Sequence, residues 1–383
     1  MKRPLNILLT VLLLLGLGFG IYVSVRGQLS ARSVVTVRGV IGSEKEDFFR
    51  DPEVVAALLK RQFRVEYIKA GSREIAGRDL NGLDFAFPAG VPAADALKKR
   101  VKPQQTYDVF YTPVVIASFQ PVVKILEANG LAKLSGAYGP LDTLLPAQYG
   151  TLDMPALLRV MVAGTRWNAL KGSAAYPSSR SVLVSTTDVR KSNSAAMYLA
   201  LVSSVLNGGQ VAQASDLDQT LTATNGLQEG TRGTLMSKVA PLFLRQGYQE
   251  NSSAGPFEDY QALGAGKTPL VNIYESQFLA AAREKLLPQD AVLLYPQPGI
   301  FTKHVLIPLT PAGARLGEAL TSDPELQRLA ARAGYRTRDA SLFMAQVKAA
   351  GRSVPASILD TADLPSQEVM EAMIANIEAQ YPK

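Results

Sequence analysis

Apolar residues in this chain fall into short β-branched runs that alternate with longer stretches of helical spacing, and polar turns separate the two. Val34 to Ile41 predicts a strand that ends at Gly42. Ser43-Glu-Lys-Glu46 then has the form of a capping box, with Ser43 as N-cap and Glu46 three residues on, ahead of Phe48, Phe49, Val54, Val55, Leu58 and Leu59. A second unit follows, with strand Val65 to Ile68, loop Ala70-Gly-Ser-Arg-Glu74 and a short helix. A third strand, Leu83 to Phe87, closes with Pro88-Ala-Gly90 before a helix from Ala93 to Lys99. Strands alternating with helices predict an α/β fold with parallel strands, which places the loops at Ser43, Ser72-Arg73 and Gly90 on one edge of a sheet.

Tyr107 to Phe119 is a long β-branched and aromatic run interrupted by Pro113, which marks an edge or a crossing point. An irregular Gly/Pro-rich stretch, Gly136 to Gly150, leads to a helix from about Pro155 that carries Trp167. Val182 to Val184 predicts a strand, Ser185 to Ser194 a polar loop, and Ala195 onward a helix to Leu206. Thr187, Asp188, Ser192, Asn193 and Ser194 crowd that loop, at the kind of sheet edge where open α/β folds hold ligands. Thr268 to Tyr274 predicts another strand running into a helix at Glu275, and Ala291 to Pro296 and His304 to Leu309 predict two more. The chain closes with helical patterns at Pro324 to Ala333, Ala340 to Ala349 and Gln367 to Gln380.

The run between Arg3 and Arg26 is uncharged and long enough, at about 1.5 Å per residue, to cross a bilayer core of about 30 Å. It exceeds the apolar length of an ordinary cleaved signal and no small-x-small site follows, so residues 5–25 are expected to be an uncleaved transmembrane anchor. The soluble part would then be extracytoplasmic, held at the cell membrane by a single pass. With 383 residues, 47% of them hydrophobic, the chain is expected to form two lobes rather than one core. The absence of cysteine excludes disulfides, thiolate metal sites and a lipid-modified cysteine. A single histidine, His304, argues against a histidine-dependent triad and against a multi-histidine metal site. The net charge of +7 is scattered without a dense basic tract, so no nucleic-acid partner is expected. Gly264-Ala-Gly-Lys-Thr268 echoes a phosphate-binding loop, but Gln261 stands where that motif needs glycine and Pro269 follows at once. No base with an orienting partner is visible at recognisable spacing, so no enzyme, cofactor or metal is expected.

The order of these elements resembles the type II periplasmic solute-binding proteins, a two-lobed family whose first lobe is interrupted by the second. Tyr111-Thr-Pro-Val114 resembles that family's outward crossing and Asn272-Ile-Tyr-Glu-Ser276 its return. Leu294-Tyr-Pro296 resembles its Tyr-Pro strand, and Leu329 to Arg336 its closing helix with a Gly-Tyr end. GVIGSEKEDFFRDPEVV with the later AGSRE is similar to membrane-anchored bacterial members. The resemblance covers residues 34 to 340 and implies two lobes, each a mostly parallel sheet flanked by helices. Lobe 1 would comprise 34–114 and 273–345, lobe 2 would comprise 115–272, and a helical segment 346–383 would follow. It further implies closure on a small solute for uptake or sensing, with a membrane permease or complex as partner. Ser43, Ser72 and Arg73 from lobe 1 and Thr187, Asp188, Ser192, Asn193 and Ser194 from lobe 2 are the candidate ligands, with Tyr274 and Tyr295 as walls. Arg73 with helix N-termini suits an anion, while Asp188 or Glu44 suits a cation; both stay open. The alternative is a sensor or assembly subunit that uses the same fold to bind a protein.

Overall fold

In a computed structural model, residues 34–135, 149–217, 235–247 and 249–381 are described. The expected anchor at residues 5–25 and most of the irregular stretch 136–150 lie outside them. Among the described residues no helix is long and apolar enough to cross a membrane.

The first unit runs β1 (Val35–Gly42), α1 (Glu46–Arg50), α2 (Pro52–Lys60), β2 (Phe63–Ala70), α3 (Ser72–Gly77), β3 (Phe85–Phe87) and α4 (Val91–Val101). β1 lies between β2 and β3, parallel to both, with Val35 opposite Phe63 and Gly42 opposite Ala70. The expected capping box is not made. Ser43–Lys45 is a single 3₁₀ turn with Gly42 at its N-cap, and the Ser43 hydroxyl turns instead to Ser252. The cap on the longer helix is Asp51, whose carboxylate accepts from Glu53 N at 2.9 Å ahead of Pro52.

β4 (Tyr107–Phe119) is followed by α5 (Gln120–Ala128), β5 (Ala132–Ser135), β6 (Tyr149–Asp153), α6 (Met154–Val162), α7 (Asn193–Leu206), α8 (Ala214–Leu217), α9 (Leu235–Leu244) and α10 (Ala254–Leu263). Then come β7 (Leu270–Tyr274), α11 (Glu275–Arg283), β8 (Ala291–Gln297), β9 (Phe301–Pro308), α12 (Pro311–Ser322), α13 (Pro324–Arg332), α14 (Ala340–Ala349) and α15 (Gln367–Glu378). The strand order is β2-β1-β3-β9-β4-β8-β6-β5, with β7 also on β4.

β4 joins two strand groups. Its first half, Tyr107 to Pro113, pairs with β9, and its second half, Val114 to Phe119, pairs with β7 and β8. Pro113 stands where the partner changes, as its missing N–H requires. β9 runs antiparallel to both β3 and β4. In the second group only β6 and β8 are parallel, and the other pairs are antiparallel. The sheet is therefore mixed rather than mostly parallel. The expected return at Asn272–Ser276 is also not where pairing changes, because β7 and β8 both bond to the second half of β4. The change falls between β8 and β9, where Val114 N donates to Ile300 O at 2.9 Å. Both β7 and β8 are buried apolar runs, a pattern that reveals burial but not the partner strand. Val182–Val184 is not a strand: Val182 N donates to Thr165 O, and only Ser185 bridges to Val271.

One apolar core gathers Val37, Phe48, Phe85, Phe110, Leu306, Leu326 and Tyr335 around the first group. A larger one holds Val115, Leu158, Trp167, Tyr198, Phe243 and Tyr260 around the second. α15 belongs to the larger core through Val369, Met370, Met373, Ile374 and Ile377, which follow helical spacing and are buried.

Candidate functional site

The two groups meet along a seam built from the loops after β1, β2 and β3 on one side and the 187–194 loop on the other. Two glycines record how closely they approach. A Cβ on Gly71 would stand 2.5 Å from Lys191 O, and one on Gly90 only 1.9 Å from Asn193 Oδ1. Gly90 also has φ +90°, a backbone that L side chains rarely adopt.

The structure brings most of the candidate residues to this seam, but engages many of them with the protein itself. Ser43 meets Ser252 across it. Ser72 Oγ accepts from Ala89 N at 2.9 Å, which ties together two loops of the first group. Arg73 N donates to Lys191 O at 3.1 Å, and its guanidinium pairs with Glu371 of α15 at 2.5 Å. Thr187, Ser192 and Ser194 form a buried hydroxyl chain, with Oγ separations of 3.0 and 2.9 Å. Asp188 accepts from Arg190 N at 2.9 Å and from its guanidinium at 2.6 Å. Burial alone would raise the Asp188 pKa, but the Arg190 hydrogen bonds outweigh it and hold the carboxyl below the usual range. Asp188 is thus committed to shaping its own loop.

Asn193 reaches furthest across. Its Nδ2 donates to Tyr274 Oη at 3.1 Å and to Thr302 Oγ1 at 3.5 Å. Tyr295 lies elsewhere: its hydroxyl donates to Glu275 at 2.5 Å, in a buried cluster completed by Arg336. That expected wall residue supports the fold around α11 rather than facing the seam loops.

Two residues at the seam, Lys45 and His304, carry chemistry that the candidate set left out. Lys45 is fully buried, donates to Glu44, and places Nζ 3.1 Å from His304 Nδ1. His304 is also fully buried, with the rings of Phe110, Tyr335 and Tyr274 at 5.2, 5.3 and 5.9 Å. Among the described residues, the buried polar atoms with no hydrogen-bond partner include Asn193 Oδ1 and His304 Nε2 at the seam, and Asn272 Oδ1 on a residue whose Nδ2 donates to Ser194 O of the 187–194 loop. The alternation of β9 was a usable signal, since it puts Thr302 and His304 on one face.

His304 gives the chain an acid sensitivity of defined sign. Burial, and then the positive charge of Lys45, hold its pKa well below the usual value, whereas an unfolded imidazole protonates near pH 6.5. Its contribution is therefore fully present above about pH 6.5 and falls by about 1.4 kcal/mol per unit below it. Urea midpoints measured from neutral pH down to about pH 5.5 should fall more steeply in the wild type than in His304→Gln. Parallel pH profiles would contradict this account.

No family model and no curated protein sequence matches the chain. Among solved structures, it is similar to the periplasmic binding protein AfuA from Actinobacillus pleuropneumoniae, with exogenous fructose-6-phosphate bound. That likeness has 11% identity, covers 90% of this chain and 98% of the other, and has a TM-score of 0.51. The sulfate-binding protein SubI from Mycobacterium tuberculosis H37Rv matches at 16% identity over 84% and 93% of the two chains, with a TM-score of 0.46. An apo ferric ion-binding protein A from Pasteurella haemolytica matches at 11% over 90% and 95%, again with 0.46. At such identities the likeness is one of fold: an α/β architecture with a mixed sheet and flanking helices, shared with periplasmic binding proteins.

Proposed function

We propose that this chain is an extracytoplasmic solute-binding protein whose two strand groups act as lobes, closing on a small solute without chemical conversion. The observation that carries this reading is the pair of buried, unpartnered polar atoms, Asn193 Oδ1 and His304 Nε2, at a seam between groups joined by β4 and the β8–β9 passage. A buried polar group without a partner is costly, and a bound solute is one way to supply it. Of the sequence candidates, Asn193 and Tyr274 are the residues we retain as ligand contacts. Ser43, Ser72, Arg73, Thr187, Asp188, Ser192 and Ser194 shape the loops that carry them. Residues 5–25 tether the protein to the membrane, where a permease would receive the solute.

A sensor or assembly role on the same fold is the second reading. It is favoured by the direct Arg73–Glu371 pair, which fastens α15 across the seam. One experiment separates the two readings. The full chain is recovered from carbonate-washed membranes in mild detergent and examined by native mass spectrometry. A retained small molecule supports solute binding, and a retained polypeptide supports assembly. Recovery in the wash would remove the tether.

A further inference from the structure

Apart from Lys191, which is exposed, the charges of the described residues at the seam stand in pairs. The nearly buried Glu44 and the buried Lys45 form an ion pair. Arg73 is matched by Glu371 and Arg190 by Asp188. Burial, and then the neighbouring Lys45, keep the imidazole of His304 uncharged. With Lys45 Nζ 3.1 Å from Nδ1, that nitrogen accepts, so the ring proton sits on Nε2, a donor with no partner. Asn193 spends its amide donors on Tyr274 and Thr302, which leaves Oδ1 as an acceptor with no partner. The two unpaired atoms belong to one place. Thr302 and His304 share a face of β9, Asn193 bonds Thr302, and the ring of Tyr274 packs on His304 while its hydroxyl accepts from Asn193.

We infer, resting on the solute-binding reading above, that the ligand is an uncharged polar organic molecule. It offers an acceptor to His304 Nε2 and a donor to Asn193 Oδ1, against the aromatic surfaces of Phe110, Tyr274 and Tyr335. An ion in the same place would be buried among described side chains whose charges are already paired, at a cost that neutral hydrogen bonds do not return. An anion beside His304 would also face Glu44, whose Oε1 lies 3.6 Å from His304 Nδ1, and a cation would face Lys45, 3.1 Å from the same nitrogen. This reverses the assignment that Arg73 invites from sequence.

The test uses the full chain in mild detergent and three probes. A protein-free small-molecule extract of a bacterial culture is separated by ion exchange into uncharged, anionic and cationic fractions. Each is assayed by thermal melting and native mass spectrometry. The expected result is a raised melting temperature and an added mass with the uncharged fraction alone. In Asn193→Ala the molecule so identified should bind about 2- to 12-fold more weakly, the range of one neutral hydrogen bond. Melting of the ligand-free variant close to wild type would show that the loss is at the site. An added mass from a charged fraction would overturn the inference and leave solute binding standing, as would unchanged affinity in Asn193→Ala. No added mass from any fraction would overturn the solute-binding reading itself, and the inference with it.

Discussion

Arg336→Met is expected to lower the free energy of unfolding by about 3–5 kcal/mol, the cost of breaking a buried ion pair by removing one partner. Glu275 is fully buried at the start of α11 and receives two bonds from the Arg336 guanidinium, at 2.7 and 2.8 Å. The same guanidinium donates to Pro355 O at 2.8 Å and Ala356 O at 3.1 Å. Methionine approximates the volume but leaves a buried carboxylate and two carbonyls without their donor, with only Tyr295 still bonded to Glu275. Urea denaturation of the variant measures the loss. Adding Glu275→Gln to Arg336→Met should recover a substantial part of it, because the stranded charge is then gone. An unchanged midpoint for Arg336→Met alone would show that the carboxylate is not confined as its burial indicates.

The second large effect is expected at Gly90. Gly90→Val places a branched side chain on a backbone of φ +90°, a strain of about 1–3 kcal/mol. Its Cβ would also fall on Asn193 Oδ1, so Asn193 must leave Tyr274 and Thr302 or the loops must part. The 187–194 loop should then exchange its amide hydrogens faster, and the solute-dependent rise in melting temperature should be lost. Gly130→Val supplies the control. Its φ is +67°, but no atom outside its chain neighbours lies within 4 Å of a Cβ there, so it carries backbone strain without touching the seam. Equal hydrogen exchange in the two variants would refute a steric role for Gly90.

Periodicity and turn residues made the strand positions legible. Val34 to Ile41, Leu83 to Phe87, Tyr107 to Phe119 and Ala291 to Pro296 all correspond to strands. Pro113 marked the change of partner in β4, because an imide nitrogen cannot donate to a ladder. Pairing itself was not legible. β7 and β8 are buried apolar runs, and nothing in such a run distinguishes one neighbouring strand from another. The chemistry of the seam was hidden for a related reason. Arg73 reads as a free cation until a carboxylate 298 positions later reaches it. The Ser43 hydroxyl reads as a cap until Ser252 competes for it. His304 reads as an incidental strand residue because the packing of Lys45 and the aromatic rings around it comes from four separate parts of the chain. Local patterns report which face a residue turns inward, and long-range packing decides what it meets there.

The position of β9 between β3 and β4 reverses the order in which the two groups can be completed. During synthesis β1, β2 and β3 emerge first, yet the strand that connects them to β4 comes only after β5, β6, β7 and β8 have all been made. Until then β3 and the first half of β4 present unpaired backbone edges. The second group needs nothing from β9 and can close its own ladders beforehand. The part of the protein translated first is therefore the part whose sheet is finished last.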